Sequence, residues 1–258
     1  MKPLAELDAR GVCALLFDID DTFSTGGKLT AQAYGALERL QGAGMRTVAV
    51  TGRPAGWCDH IARMWPVDAV VGENGAFYFR HADGRLRRHY AEPPEVRARQ
   101  RERLAQIGQQ IIAAVPGCAI AADQPYRETD LAIDYCEDVA PLPLSEAQRI
   151  ASLLRAAGLR AKVSSIHVNG WFGDYDKLAM TRRLFREEFA MDLDREASTV
   201  VYVGDSPNDA PMFEFFPRSV GVANVRRFAG VLASPPNYVT NASSGAGFAE
   251  VVAHLLSA

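Results

Sequence analysis

The sequence predicts an α/β protein: a doubly wound, parallel-sheet, Rossmann-like core with a smaller α+β domain inserted into it. Three observations carry this. Runs such as "VCALLFDI" (12–19) and "STVVYVGDS" (198–206) are apolar without polar alternation, as expected for strands buried on both faces. They alternate with helical segments, which implies right-handed crossovers and helices on both faces of the sheet. The alternation breaks near residue 80 and resumes near residue 177, so the core is split in sequence.

In order, "VCALLFDI" is the first strand. "TAQAYGALERLQGAG" (30–44) places Ala33, Leu37 and Leu40 on one face and ends at Gly42 or Gly44, so it reads as a helix with a glycine stop. "TVAVTG" (47–52) is a strand, "AGWCDHIARMW" (55–65) a helix, and "DAVVGENGAFYF" (68–79) a strand followed by a turn at Asn74-Gly75. Asp83-Gly84 predicts a hairpin turn. A long helical pattern covers 94–114, "LAIDYC" (131–136) is a strand, and "SEAQRIASLLRAAG" (145–158) a helix with Ser145 as N-cap and Gln148 completing a capping box. "AKVSSIHVNGWF" (161–172) alternates like a strand. The core pattern returns with the helix "KLAMTRRLFREEF" (177–189), the strand 198–206, the short strand "SVGVAN" (219–224) and the helix "GFAEVVAHLL" (247–256). The expected division is a core of 1–81 and 168–258 with an inserted domain of 82–167.

The 258 residues, 48% hydrophobic and 23% charged, suit a globular protein. A net charge of −3 argues against a nucleic-acid binder, and the basic stretch "RARQRERL" (97–104) reads as a solvated helix face. The cysteines, Cys13, Cys58, Cys118 and Cys136, form no metal-like spacing, and Cys13 and Cys136 read as small core residues. The N-terminus lacks an apolar signal core, and no run approaches the ~18 apolar residues of a membrane span. A cytoplasmic location is expected.

Ligands of open parallel sheets bind at the carboxyl ends of the strands. Polar clusters lie at or near such ends: "DIDDT" (18–22), "TGRP" (51–54), "DYDK" (174–177) and "GDSPND" (204–209). One aspartate after a strand is ordinarily a cap or a turn former. Asp18, Asp20, Asp205 and Asp209 converging on one sheet edge would instead destabilise the fold unless compensated. A hard divalent cation compensates them, and Mg²⁺ favours one or two carboxylates, retained waters and a phosphate. Thr51 offers a hydroxyl, Gly52 permits close approach of a backbone N–H, and Lys177 is a point-charge donor to phosphate oxygens. These pieces point to phosphoryl transfer on a small phosphate ester.

The four motifs, "FDIDDT", "VTGR", "DKLAM" and "GDSPND", resemble in order those of the haloacid dehalogenase-like superfamily of Mg²⁺-dependent phosphohydrolases. The resemblance is greatest to the Cof-type and sucrose-phosphatase-like branch, whose α/β cap lies between the second and third motifs. It implies that Asp18 is the nucleophile, forming an aspartyl-phosphate, and that Asp20 is general acid and then base, oriented by Thr22. It further implies that Asp18, the Asp20 carbonyl and Asp205 hold Mg²⁺, with Asp209 and Asn208 in support, and that Thr51, Gly52 and Lys177 bind the transferring group. Two residues along one strand would put Asp18 and Asp20 on the same face. Asp21 stands where the superfamily often has glycine. Asp174 and Asp176 read as a helix N-terminus.

The inserted domain should cover the site and select the leaving group. Arg127, Glu128, Asp130, His167 and Asn169 offer donors and acceptors for a polyhydroxy ligand, and Trp171 could stack on a sugar ring or pack the hinge. Glu73 and Asn74 could face the cap. The expected activity is hydrolysis of a sugar phosphate or phosphorylated glyceryl glycoside. The alternatives are a phosphomutase or phosphotransferase and a non-catalytic binding relative. The acids after the first strand and the lack of G-x-G-x-x-G disfavour a dinucleotide site.

Overall fold

The computed structural model describes residues 1–257. The chain runs β1 (Lys2–Pro3), β2 (Ala14–Phe17), α1 (Ala31–Gly42), β3 (Arg46–Val50), α2 (Ala55–Met64), β4 (Ala69–Gly72), β5 (Phe77–Ala82) and β6 (Arg85–Tyr90). It continues through α3 (Pro94–Ala114), β7 (Ala119–Ile120), β8 (Asp130–Asp134), α4 (Leu144–Ala156), β9 (Arg160–Val163) and β10 (His167–Trp171). It closes with α5 (Lys177–Phe189), α6 (Leu193–Glu196), β11 (Val200–Gly204), α7 (Ala210–Phe215), β12 (Arg218–Gly221), β13 (Tyr238–Val239) and α8 (Ser244–Leu256).

Nine strands form one sheet in the order β1-β13-β12-β11-β2-β3-β4-β5-β6. All neighbours are parallel except β4–β5 and β5–β6, which are antiparallel. Sequence order reverses across the β2–β11 pair, the place where a doubly wound sheet opens a crevice at its carboxyl edge. The strands are apolar on both faces because both are covered. Leu15 and Phe17 of β2 pack with α1, α2 and α8, whereas Ala14 and Leu16 pack with α5, α6 and α7. Helix α1 starts at Thr30, whose hydroxyl accepts the Ala33 N–H at 3.2 Å, a cap worth about 1 kcal/mol. Gly44, at φ 79°, supplies the expected stop.

The second sheet, β7-β8-β10-β9, is antiparallel throughout. Strict alternation gives it two unlike faces. Leu131, Ile133 and Val168 pack under α3 and α4, so Asp130, Asp134, His167 and Asn169 lie on the other face. That face is turned toward the carboxyl edge of the large sheet, since His167 and Asn169 line one crevice with Asp18.

Sheet membership differs from the expected boundaries at both ends. The hairpin turns at Asp83 and Gly84 as predicted, with φ values of 53° and 71°, but β6 extends the large sheet. Strand β10, placed in the core from residue 168, pairs with β8 and β9. The run 161–172 is two strands, because Ser164 turns the chain by accepting the His167 N–H on its hydroxyl. Helix α4 starts after Pro143, so Ser145 lies inside the first turn rather than capping it. Trp171 is buried, stacks on Tyr175 and donates to the Tyr175 carbonyl at 3.2 Å. It packs the junction and is removed from ligand contact.

Candidate active site

Strand β2 ends at Phe17, and the chain enters a wide turn, Ile19–Phe23, in which Asp21 has φ 53°. Aspartate tolerates this left-handed conformation better than most residues, which explains an acid where glycine is common. The turn replaces the strand continuation expected for Asp18 and Asp20, yet both carboxylates line one crevice at the sheet edge.

Asp18 is 3% exposed. Lys177, the first residue of α5, reaches Asp18 Oδ1 at 2.9 Å and Asp209 Oδ1 at 2.8 Å. The helix is oriented by Asp176, whose carboxylate accepts the Ala179 N–H at 2.8 Å, so Asp176 is a cap as read from sequence. Burial pulls the Lys177 ammonium pKa down, but Asp18 and Asp209 outweigh it and the net shift is upward. Burial, reinforced by Asp209 and Asp20, pushes the Asp18 carboxyl up against the opposing pull of Lys177.

Asp205 and Asp209 follow β11. The Asp209 carboxylate is fully engaged. Its Oδ1 accepts from Lys177 and from the Tyr202 hydroxyl at 2.6 Å, and its Oδ2 accepts the Asp205 and Ser206 N–H groups. A Cβ at position 204 would meet Asp209 Oδ2 at 2.6 Å, so only glycine lets the carboxylate fold back on the strand end. Asn208 accepts from the Ser206 hydroxyl at 2.6 Å and lines the crevice.

Asp205 is 1% exposed, and its hydrogen-bond partners are neutral: the Thr22 hydroxyl at 3.3 Å and the Asn224 amide at 3.0 Å. Burial, then Asp209 and Asp18, push its carboxyl well above the ordinary range. Thr22 therefore orients Asp205, not Asp20 as expected. Asp18, Asp205 and Asp209 each offer a carboxylate oxygen within 4.8 Å of the others. This set of hard oxygen donors, with Asp205 lacking a basic partner, fits a divalent cation.

Asp20 is held by a residue that sequence reasoning left unassigned. Arg53 donates from Nε to both Asp20 oxygens, at 2.9 and 3.0 Å, and Nη2 lies 2.8 Å from Oδ1. Arg53 stood in the "TGRP" cluster, which was the available signal. Thr51 is buried and its hydroxyl accepts the Arg53 N–H at 3.0 Å. Asn224 and Tyr202 were also missed, because each reaches the cluster only through the folded sheet.

The small sheet closes over this edge. Glu137 accepts from Arg53 Nη2 at 2.7 Å and lies 2.8 Å from His167 Nε2. Burial pushes the Glu137 carboxyl up, but His167 and Arg53 outweigh it and hold it at about 2. Arg127 is gripped by Asp123 and Asp130 and donates to the Gly52 carbonyl at 2.8 Å. Asn169 donates to Asp130 at 2.9 Å. Arg127, His167 and Asn169 thus line the crevice, whereas Glu128 does not, its side chain pairing with Arg97 at 2.6 Å. Glu73 does face the cap. Its buried carboxylate accepts the N–H groups of Ala55, Glu128, Thr129 and Asp130, and the Thr129 hydroxyl. The left-handed φ of Glu73 (42°) and Asn74 (57°) costs about 1 kcal/mol or more each and is tolerated because these bonds fix the loop. With the two sheets in this position the crevice holds about 10 Å³, room for roughly one water.

Residues 15–107 match the family of haloacid dehalogenase-like hydrolases, which bears out the resemblance read from the motifs. No curated protein matches the chain. Among solved structures, a Thermoplasma acidophilum protein is 16% identical with a TM-score of 0.70, over 95% of this chain and 98% of that one. The sucrose-phosphatase of Synechocystis sp. PCC6803, solved with sucrose and phosphate, is 18% identical with a TM-score of 0.64, over 95% and 98%. A haloalkanoate-superfamily phosphatase of Bacteroides thetaiotaomicron is 21% identical with a TM-score of 0.62, over 98% and 99%. At these identities the likeness is one of fold, and it extends over the core and the inserted unit together.

Proposed function

We propose that this haloacid dehalogenase-like hydrolase is a Mg²⁺-dependent phosphatase of a small phosphorylated metabolite, a sugar phosphate or phosphorylated glycoside in class. One observation carries the reading: a buried lysine bridges two buried aspartates, beside a third aspartate whose partners are all neutral. A protein that merely binds a ligand gains nothing from so many uncompensated acids. The sucrose-phosphatase likeness supports the substrate class.

In this reading Asp18, the Asp20 carbonyl and Asp205 would hold Mg²⁺, with Asp209 and Asn208 in support. When bound, the ion neutralises charge on the phosphoryl group and its oxygens. Asp18 attacks phosphorus while the bond from phosphorus to the ester oxygen breaks, giving an aspartyl-phosphate. Lys177 occupies Oδ1, leaving Oδ2 as the attacking atom. Asp20, fixed by Arg53, donates its proton to the departing oxygen. It then takes a proton from a water that attacks the same phosphorus as the bond to Asp18 Oδ2 breaks, which releases orthophosphate and restores Asp18. Thr51, Gly52 and Lys177 bind the transferring group.

Residues from about 92 to 172 act as the cap. The crevice is too small for any phosphate ester while Arg53–Glu137 and Arg127–Gly52 are made, so the cap opens for each turnover. Four free cysteines support the expected cytoplasmic location. The test is phosphate release from a panel of phosphate esters in water, with Mg²⁺ and with chelator. Sustained release that needs Mg²⁺ and no sugar acceptor is the expected result. Consumption of the ester only on adding an acceptor, with the phosphoryl group recovered on that acceptor and no phosphate released, would establish the phosphotransferase alternative, and release at full rate in chelator would refute the metal role.

A further inference from the structure

A second cavity adjoins the crevice and shares two of its walls. It has a volume of about 520 Å³, within the range of small-molecule sites. Asp20 and Arg53 line both the crevice and this pocket. From there the pocket runs outward between α2, the turn after β2, and Tyr126 of the cap, walled by Leu29, Trp57, Ile61 and Trp65. Its polar additions are few, chiefly Ser24 and His60.

Its aromatic groups are placed at a cost. Trp57 is 42% exposed and Tyr126 58%, in a protein whose remaining tryptophans are largely covered. The Trp57 ring is fixed by the Arg53 guanidinium, 4.4 Å from its centroid. Tyr126 lies so close to α2 that a Cβ at Gly56 would meet it at 3.0 Å. The same arginine therefore holds the proposed proton donor and one aromatic wall.

We infer that this pocket takes the leaving group of the ester, and that the leaving group carries a ring with an apolar face laid against Trp57 and Tyr126. The inference rests on the phosphatase reading for the position of the phosphoryl group at Asp18. With phosphorus there and the ester oxygen at Asp20, a substituent directed past Asp20 and Arg53 enters this pocket. The selecting surface is thus largely on α2 of the core, with Tyr126 as the cap's contribution. An aromatic ring and the C–H face of a sugar ring share the required chemistry.

The test is calorimetric binding to the full chain in Mg²⁺, using phenylphosphonate and methylphosphonate, which need no turnover. Phenylphosphonate is expected to bind about tenfold more tightly, and that ratio to fall toward one in both Trp57→Ala and Tyr126→Ala. Both side chains are exposed enough for the variants to fold, which thermal melting checks. A ratio near one in the unaltered chain, a ratio that neither variant changes, or failure of both ligands to bind overturns the inference. A hexose phosphate whose affinity falls in Trp57→Ala would identify a sugar face as the ligand, and one indifferent to it an aromatic ring. Binding with the expected ratio but no ester hydrolysis would refute the phosphatase reading, and with it the leaving-group role, leaving the pocket as a ring-binding site only.

Discussion

The Arg53 guanidinium grips the Asp20 carboxylate through Nε and Nη2, at 2.8 to 3.0 Å, while the same Nη2 also donates to Glu137 of the cap at 2.7 Å. One side chain therefore fixes the proposed acid and senses whether the cap is closed. Replacing Arg53 by lysine keeps the charge but loses the planar fork. Arg53→Lys is expected to lower kcat by about 10², with a smaller change in KM, measured by steady-state turnover. A rate within a factor of about two of the unaltered enzyme would refute the positioning role.

Lys177 lies between two carboxylates that are otherwise buried against each other. Lys177→Met leaves both without their cation, a change that costs roughly 3–5 kcal/mol. The melting temperature should fall clearly, and added Mg²⁺ should restore part of it. Unchanged melting would mean that the aspartates are not charged in the folded protein.

Mg²⁺ binding at the acidic cluster is measurable without any substrate. Mg²⁺ should raise the melting temperature of the unaltered chain, because a ligand that binds only the native state stabilises it. The rise should be absent in Asp205→Asn. An equal rise in both would place the ion elsewhere.

Glu73 ties the loop after β4 to residues 128–130 of the cap through three backbone donors and one hydroxyl, and to α2 through the Ala55 N–H. Glu73→Ala strands those donors and should cost at least about 2 kcal/mol. Amide exchange at 128–130 should accelerate more than exchange in β2 or β11. Uniform acceleration would show that Glu73 supports the whole fold rather than the cap junction.

Glu137 supplies the pH dependence of closure. Its carboxyl titrates at about 2 when folded against an ordinary value of 4.5. The folded value is depressed, so the stabilisation is present above 4.5 and is lost as pH falls toward 2. Glu137→Gln should remove this component. The difference in stability between the two chains, followed by denaturant unfolding, should shrink between pH 4.5 and 2. A constant difference would refute the assignment.

The core was legible in the sequence because its signals are local. The core strands β2, β3 and β11 are apolar runs, and three of the four polar clusters follow such a strand directly, as "GDSPND" follows "STVVYV". The helix register showed in Leu37 and Leu40 of α1, and the acid of the cap at Asp176 showed in its position before α5. What could not be read depends on contacts made at a distance. The pairing of Arg53 with Glu137 spans 84 residues, and nothing near either announces it. Thr22 lies beside Asp20 in sequence, yet the wide turn sends its hydroxyl to Asp205. The edge hairpin is hard to place from sequence because β6, "RLRRHY", is mostly polar, has no fully buried residue and offers no apolar run to mark it as part of the large sheet. The aromatic pocket escaped notice since Trp57 in a helical pattern looks like any amphipathic residue.

In the proposed mechanism an oxygen of Asp18 takes the phosphoryl group as a covalent adduct. Acid quenching during turnover of a phosphate ester with Mg²⁺, followed by peptide mass analysis, tests it directly. The peptide containing Asp18 should gain the mass of one phosphoryl group, and Asp18→Asn should abolish both the adduct and turnover. Turnover by Asp18→Asn, or an adduct on any other residue, would contradict it.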